Sequence, residues 1–295
     1  MNLEGLHHVT AITADAPRNV DFYSRVLGLR MVKKTVNFDA PDVYHLYFGD
    51  EVGTPGSILT FFEFPGAAPG RAGDGMIHTI QWRVADDAAL DFWAQRIPGA
   101  AREDGVVRFD DPEGLTHELV AAGVPDAPLV ASHPDIPGEY ALRGFHGVRA
   151  YAGAPERSAG LLQTLGFTGA GADWGAAGAE RSGFLTYDAP PAAAGIPGAG
   201  TVHHVAWSAA DDAELEAFRG LARDGGARPT PIIDRQYFHS VYFREPSGVL
   251  FELASRDIGF DVDEPRETLG EALMLPPQHE HLRAQLEQTL TPLGV

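Results

Sequence analysis

Two pairs of adjacent histidines are the residues of this sequence most suited to chemistry. His7 and His8 lie in the segment LHHVTAIT, and His203 and His204 lie in the similar segment VHHVAWSA. Each pair stands at the start of an apolar stretch that reads as a β-strand. Neutral imidazole is a ligand of iron, copper, nickel and zinc, so the repetition suggests that the two pairs serve one metal.

A carboxylate, Glu252, lies within the apolar segment GVLFELAS. Because the side chains of a strand alternate between its two faces, Glu252 shares a face with Leu250 and Ala254. An ionised carboxylate between apolar neighbours costs several kcal/mol to bury unless a partner compensates its charge. A metal ion is one such partner.

The elements that must position these residues form a repeat. A shared pattern of an apolar strand near a histidine, a helix of about twelve residues and further strands occurs four times, and we call each copy a module. The modules begin at LHHVTAIT, IHTIQWRV, GFHGVRAYA and VHHVAWSAA, in chain order. The first histidine of the pair occurs in all four modules, so it is a property of the repeat.

The second histidine occurs only in modules one and four. Aligning Trp82 with Trp207 puts Thr79 opposite His204 in module two, and Gly147 follows His146 at the same place in module three. The carboxylate shows a similar restriction. Four residues after the last turn glycine, a glutamate occurs only in module two, as Glu118, and in module four, as Glu252.

The distribution of these residues indicates how the modules pair. Pairing of neighbours in the chain would leave two incomplete ligand sets, one with His8 and Glu118 and one with His204 and Glu252. Pairing of module one with module four instead gathers His8, His204 and Glu252 at one site. Two imidazoles and one carboxylate form the facial triad that is typical of non-haem Fe(II) oxygenases.

Composition excludes several other classes of function. The chain has 295 residues and a net charge of −19, which disfavours nucleic acid and anionic membranes as partners. Cysteine is absent, so a metal must be bound by His, Asp or Glu. No apolar run reaches the length of a membrane span, and the N-terminus lacks the features of a signal peptide, so we expect a cytoplasmic protein.

The order of the modules and the composition of the segments between them predict the organisation of the chain. Modules one and two form an N-terminal domain at 1–140, modules three and four a C-terminal domain at 141–258, and 259–295 an accessory tail that ends in a helix. Segments 64–75, 123–140 and 189–200 are rich in Pro, Gly and Ala and are expected to be irregular linkers. The tail could cover the mouth of a barrel or bind a second subunit, which leaves a homo-oligomer open.

Four segments extend these observations to a known family. GLHHVTAIT, VNFDAPDVYHLYFGDEVGTPGSILTFF, IDRQYFHSVYFREPSGVLFE and LPPQHE resemble the ring-cleaving dioxygenases of the vicinal oxygen chelate superfamily, in the branch that acts on hydroquinones and chlorinated hydroquinones. The resemblance implies an α+β fold of four βαβββ modules in two half-open β-barrels. Modules one and four would surround the metal, and modules two and three would form the other barrel.

The resemblance also implies a site and its chemistry. It makes His8, His204 and Glu252 the ligands of Fe(II), with Mn(II) as an alternative metal. It puts His7, His203, Arg235 and Tyr242 around an aromatic diol that is cleaved with O2. His239 departs from the family pattern, which leaves the shape of the pocket open.

Plainer interpretations of the same residues remain open at this point. His7 and His203 could serve packing alone, Tyr242 could be a core residue, and Arg235 could pair only with Asp234 or Glu245. His146 competes as a metal ligand, and Glu118 is expected to be a paired structural carboxylate.

Two other functions also fit the modules. A glyoxalase-type isomerase would use them without O2, although Thr60 occupies the place where module one would supply its second carboxylate. A metal-free protein could bind an aromatic compound without catalysis.

Overall fold

The computed structural model describes residues 1–293 and contains two curled eight-stranded sheets with a few helices. Each of the four modules has the order βαβββ. The predicted α+β fold is therefore confirmed.

The modules have the following elements. Module one contains β1 (Leu6–Thr13), α1 (Ala16–Val20), β2 (Arg30–Asn37), β3 (Ala40–Gly49) and β4 (Ile58–Glu63). Module two contains β5 (Ile77–Val84), α2 (Asp87–Arg96), β6 (Ala101–Glu103), β7 (Val106–Asp110) and β8 (Thr116–Ala121). Module three contains β9 (Phe145–Tyr151), α3 (Ala159–Thr164), β10 (Thr168–Ala170), β11 (Asp173–Ala177) and β12 (Ser182–Asp188). Module four contains β13 (Val202–Ala209), α4 (Asp212–Asp224), β14 (Ile233–Asp234), β15 (His239–Arg244) and β16 (Leu250–Ser255).

The strand order shows which modules share a sheet. The first sheet has the order β14-β15-β16-β13-β1-β4-β3-β2 and joins module four to module one. The second sheet has the order β10-β11-β12-β9-β5-β8-β7-β6 and joins module three to module two. In both sheets the first strands of two modules pair antiparallel, with Val9 opposite Val205 and Ile80 opposite Val148. The predicted pairing of modules is confirmed, whereas the division of the chain at 140 and 258 stays a prediction.

Amphipathic helices cover the sheets. In α4, Leu215, Phe218 and Ala222 are buried at the three- and four-residue spacing that forms one helical face. The side chain of Asp211 caps this helix by accepting a hydrogen bond from the backbone N–H of Glu214 at 2.9 Å. Burial of this face fixes α4 against the sheet that carries the candidate ligands.

The helix of module one differs from the predicted single helix, because α1 continues as a π-helical turn at Asp21–Val26. Tyr23 in this turn donates a hydrogen bond to Asp111 at 2.9 Å and lies 3.0 Å from Nε2 of His117. Trp82 donates to Nδ1 of His117 at 3.1 Å, so the proton of this imidazole resides on Nε2. The buried network therefore attaches the helix of module one to module two.

The linkers after β4 and β12 contact each other, although both were expected to be irregular. Arg71 forms an isolated bridge with Ile196 across them. A Cβ atom on Gly73 would lie 2.3 Å from the backbone nitrogen of Gly195, which no side chain tolerates. Glycine at this crossing therefore lets the two backbones approach closely. The contact joins the two halves of the chain.

The tail contains short helical elements and follows the first sheet. Three 3₁₀ turns precede the predicted final helix; they span Phe260–Val262, Arg266–Thr268 and Pro277–Leu282. The helix itself, α5, spans Arg283–Thr289. Within residues 1–293, no helix has both the length and the apolar character that crossing a membrane requires.

Candidate metal centre

Strand register brings the three predicted ligands together. His8 on β1 lies opposite Ala206 on β13, and Ala206 lies beside Glu252 on β16. His204 stands two residues before Ala206 on β13, so its side chain projects from the same face of the sheet. Residues 8 and 252 thus meet His204 from the two strands that flank it.

The candidate ligand atoms of His8, His204 and Glu252 all lie within 4.8 Å of one another. The Nε2 atoms of the two histidines are 3.3 Å apart. Oε2 of Glu252 lies 3.1 Å from Nε2 of His8 and 2.8 Å from Nε2 of His204. The three side chains are at most 5% exposed, so the centre is shielded from bulk water.

The two oxygens of Glu252 have different environments. Oε1 accepts a hydrogen bond from the hydroxyl of Ser240. Oε2 has no hydrogen-bond partner among residues 1–293, although it lies close to the two imidazole nitrogens. Burial alone raises the pKa of this carboxyl, but His8 and His204 in their protonated forms outweigh burial and hold the pKa well below its ordinary value. A buried, ionised oxygen aimed at two imidazole nitrogens fits a cation, so the residues present suit a metal ion.

His7 orients the imidazole of His8. Nε2 of His7 lies 3.0 Å from the backbone oxygen of Ser255, and its Nδ1 lies 2.9 Å from Nδ1 of His8. A carbonyl oxygen only accepts, so Nε2 of His7 carries a proton and Nδ1 of His7 accepts from His8. Nε2 of His8 is then left with a free lone pair toward the centre. A partner that fixes the tautomer is a common feature of metal-bound histidine.

His203 stands in the same relation to His204. Their Nδ1 atoms are 2.7 Å apart, so a proton on Nδ1 of His204 leaves Nε2 free as a ligand. Burial, followed by the neighbouring His204, lowers the pKa of His203 to about 4. Burial, followed by His8, lowers the pKa of His7 to about 3. Both imidazoles are therefore neutral at neutral pH and can accept these hydrogen bonds.

A cavity of about 500 Å³ opens onto the two candidate histidine ligands. Its walls are largely apolar and aromatic, with Phe38, Phe62, Phe64, Ile233, Phe238 and Leu250. Its polar lining includes Asn37, Asp39, His45, Tyr47, His203, Thr230, Arg235 and Tyr242. Such a mixture fits an aromatic ligand with a few polar substituents. His203, Arg235 and Tyr242 thus line the cavity, whereas His7 does not.

Arg235 and Tyr242 form one polar group at the wall. Nε of Arg235 donates to the hydroxyl of Tyr242 at 3.3 Å, and Nη1 donates to Oδ2 of Asp39 at 3.1 Å. The guanidinium also lies over the tyrosine ring, 5.5 Å from its centroid. Burial and then Glu252 raise the pKa of Tyr242, so its hydroxyl stays protonated. Arg235 thus pairs with Asp39 and not with Asp234 or Glu245.

His45 also lines the cavity and was not identified from the sequence. Tyr47 donates to Nδ1 of His45 at 2.9 Å, Nε2 of His45 lies 2.8 Å from the hydroxyl of Thr60, and Thr60 donates to Thr10 at 2.9 Å. Burial lowers the pKa of His45 well below its ordinary value. Alternation in YHLYF puts His45 and Tyr47 on one face, which is the signal that could have found them. Thr60, at the place of a second carboxylate, belongs to this chain of hydrogen bonds.

The second sheet offers an internal comparison. Glu118 corresponds to Glu252 by register, but it accepts hydrogen bonds from Arg108 and, at 2.8 Å, from Gln81. Thr79 and Gly147 occupy the places of His204 and His8. The guanidinium of Arg108 thus compensates the carboxylate of the second sheet. This agrees with the expectation that Glu118 is a paired structural carboxylate.

Two other residues of the sequence analysis lie elsewhere. His146 is on β9 in the second sheet, where its ring lies 4.7 Å from that of Phe184 and its Nδ1 lacks a partner within the described chain. His239 is on β15, next to Ser240, and its Nδ1 lies 2.6 Å from Asp212, on the face away from the cavity. The departure from the family pattern at His239 therefore does not alter the cavity lining.

Comparison with known proteins places the chain in a family. The model of the Glyoxalase/Bleomycin resistance protein/Dioxygenase superfamily matches residues 5–119 and 100–253. The chain belongs to this superfamily. The resemblance inferred from the four sequence segments is confirmed, and the relatives below carry the names of ring-cleaving and hydroquinone dioxygenases.

Curated relatives match over nearly the whole chain. "Putative ring-cleaving dioxygenase MhqO" of Bacillus subtilis (strain 168) is 40% identical over an alignment of 305 positions, which covers 99% of this chain and 97% of that protein. "Chlorohydroquinone/hydroquinone 1,2-dioxygenase" of Sphingobium indicum is 34% identical over an alignment of 314 positions, which covers 98% of this chain and 96% of that protein.

Solved structures agree with the fold. A crystal structure of a Bacillus subtilis protein, 38% identical, matches with a TM-score of 0.90 over 100% of this chain and 98% of that chain. Glyoxalase I from Zea mays, 17% identical, matches with a TM-score of 0.59 over 86% of this chain and 92% of that chain. The latter likeness shows the fold alone.

Proposed function

We propose that this protein is an Fe(II)-dependent dioxygenase that cleaves the ring of a hydroquinone or substituted hydroquinone with O2. The observation that carries the proposal is the buried group of His8, His204 and Glu252, with an unpartnered carboxylate oxygen at its centre and an aromatic-walled cavity in front of it. The names of the relatives, which include a hydroquinone dioxygenase, support the reaction and the substrate class. Mn(II) is the alternative metal.

His8, His204 and Glu252 would hold the metal on one face and leave its other positions open toward the cavity. When bound, such a cation supplies a binding position for a phenolic oxygen, whose pKa it lowers, and for O2. His7 and His203 keep the two ligating imidazoles in the required tautomer. In the overall reaction both atoms of O2 enter the opened product.

Arg235 and Tyr242 would bind the substrate. The hydroxyl oxygen of Tyr242 accepts from Arg235, so its proton is free to be donated to an oxygen of the ring. Arg235 is a fixed positive charge at the wall and stabilises negative charge that develops on the ring as its hydroxyl proton leaves. His45 and Thr60 hydrogen-bond to each other, which would leave recognition of the oxygen of the ring to Arg235 and Tyr242.

The walls of the cavity would orient the ring and exclude water. Phe38, Phe62, Phe64 and Phe238 present aromatic surface to a planar substrate. Removal of water strengthens the interaction of Arg235 with the bound anion. The cytoplasmic location and a homo-oligomeric state stay predictions.

Anaerobic reconstitution with Fe(II), followed by oxygen-electrode traces with hydroquinone, methylhydroquinone and catechol, tests this proposal. We expect O2 uptake equal to the substrate consumed, with a hydroquinone preferred over catechol. A metal-loaded protein that consumes no O2 with any of them contradicts the dioxygenase proposal and favours an isomerase. A protein that binds no metal favours a non-catalytic binding protein.

A further inference from the structure

The tail segment LPPQHE, at 275–280, belongs to the sequence resemblance but supplies no residue to the metal centre or to the cavity lining described above. Its histidine, His279, lies with Nε2 3.0 Å from the backbone oxygen of Phe38. A carbonyl oxygen only accepts, so His279 donates this hydrogen bond from Nε2. The contact joins residues 241 positions apart in the chain.

Phe38 lies in the turn between β2 and β3, and this turn forms part of the cavity wall. Asn37, Phe38 and Asp39 all line the cavity. The side chain of Asn37 closes the turn by accepting from the backbone N–H of Asp39 at 2.9 Å. Asp39 in turn accepts from Arg235 across the wall at 3.1 Å. The carbonyl that His279 holds and the carboxylate that holds Arg235 therefore belong to adjacent residues, Phe38 and Asp39.

The tail is attached to β2 by contacts that do not involve His279. The ammonium group of Lys33, which is fully buried, lies 2.7 Å from Asp263 and 2.6 Å from Glu264. Farther along the tail, the backbone N–H of Met274 donates to the oxygen of Lys34 at 2.9 Å. Loss of the His279 side chain would therefore leave the tail in place and remove only its contact with the turn.

We propose that His279 is a positioning residue of the active site, which holds the turn at 37–40 against the cavity and, through Asp39, sets the position of Arg235. The tail would thus support the wall of the substrate cavity from behind, in its own chain. The effect on substrate binding rests on the proposed function, whereas the effect on the turn does not.

The variants His279→Ala, His279→Gln and His281→Ala test this inference. Gln can supply an N–H donor near the position of Nε2, and His281, exposed in the same 3₁₀ turn, is the matched control. Hydrogen exchange of the Mn(II)-loaded protein, followed for peptides that cover 37–43, measures the order of the turn. Loss of one hydrogen bond should speed exchange there by about twofold to tenfold in His279→Ala. His279→Gln and His281→Ala should match the wild type.

Kinetics with hydroquinone provide the second readout. We expect His279→Ala to raise KM by about twofold to tenfold with little change in kcat, since Arg235 would act on the anion that forms when the substrate binds. Asp39→Ala removes the carboxylate that accepts from Arg235, at a residue that is exposed. It should therefore raise KM similarly.

Each of several results would overturn the inference. They are unchanged exchange in His279→Ala, an equal effect in His281→Ala, failure of His279→Gln to restore the turn, and an unchanged KM in Asp39→Ala. If the wild type consumes no O2, the proposed function fails, and the exchange measurement still decides the role of His279 in the turn.

Discussion

Replacement of Glu252 by Gln is the change whose effect on the metal centre is easiest to work out. Gln has nearly the same shape but lacks the charge that Oε2 of Glu252 directs at His8 and His204. Loss of a residue that hydrogen-bonds to a metal ligand typically costs 10- to 100-fold in metal affinity. Loss of the charge of a ligand itself should cost at least as much. Glu118→Gln is the matched control, because the same substitution there faces Arg108 and Gln81.

The size of the effect follows from binding linkage. Metal at 100 times its Kd stabilises the folded protein by about 2.7 kcal/mol, from RT ln(1 + [L]/Kd). A 100-fold loss of affinity reduces this stabilisation to about 0.4 kcal/mol at the same metal concentration. For a chain of this size, 2.7 kcal/mol corresponds to a Tm increase of about 5 °C.

Thermal unfolding with and without Mn(II), at a concentration of 100 times the wild-type Kd, measures the difference. The wild type and Glu118→Gln should show the full increase in Tm, and Glu252→Gln should show almost none. Glu118→Gln can lower Tm in the absence of metal, since Arg108 loses its ionic partner. A full increase in Glu252→Gln, or its loss in Glu118→Gln, would refute the assignment of the metal to the first sheet.

Three further predictions address other parts of the molecule. His7→Leu should lower metal affinity about 10- to 100-fold, measured by competition with a chelator, because His8 loses the partner that fixes its tautomer. Tyr242→Phe should raise KM for hydroquinone about twofold to tenfold in oxygen-uptake kinetics, because one hydrogen bond to the ring oxygen is lost. Burial lowers the pKa of His117 from 6.5 to about 3, so the unfolded chain binds more protons below pH 6.5, and the unfolding free energy falls as pH falls toward 3. In His117→Gln this fall between pH 6.5 and 4.5, measured by urea titration, should be smaller by about 2 kcal/mol.

The pairing of the modules could be predicted because the repeat keeps its geometry while individual residues change. Thr79 and Gly147 fill the places of ligands in modules two and three, and these places are known by counting from shared residues. Since equivalent positions fall on equivalent strands, a complete ligand set requires modules one and four to share a sheet. The register of β1, β13 and β16 then follows from the repeat itself.

Contacts between distant segments could not be predicted in this way. His45 contacts Thr60 through the register of β3 and β4, which spacing along the chain does not specify. The contact between Gly73 and Gly195 depends on two linkers that cross, although each alone has the composition of an irregular loop. The tail likewise has no counterpart in the other modules, so its contact with the cavity wall was left open.

His7 and His203 are a further case in which the sequence predicted the residues but not their surroundings. Resemblance grouped His7 with His203 around the substrate, but the two occupy different positions relative to the cavity. His7 is 2% exposed and bonds to the backbone of Ser255, whereas His203 lines the cavity. The sequence repeats the histidine pair in both modules, and only the surrounding packing distinguishes them.

Metal stoichiometry in alanine variants tests most directly the claim that both ends of the chain bind one cation. After anaerobic reconstitution with Fe(II) and removal of free metal, the wild type and His146→Ala should retain one iron per chain by elemental analysis. His8→Ala and Glu252→Ala should both lose it, although 244 positions separate these residues. Retention of iron by His8→Ala, or its loss from His146→Ala, would contradict a metal centre built from modules one and four.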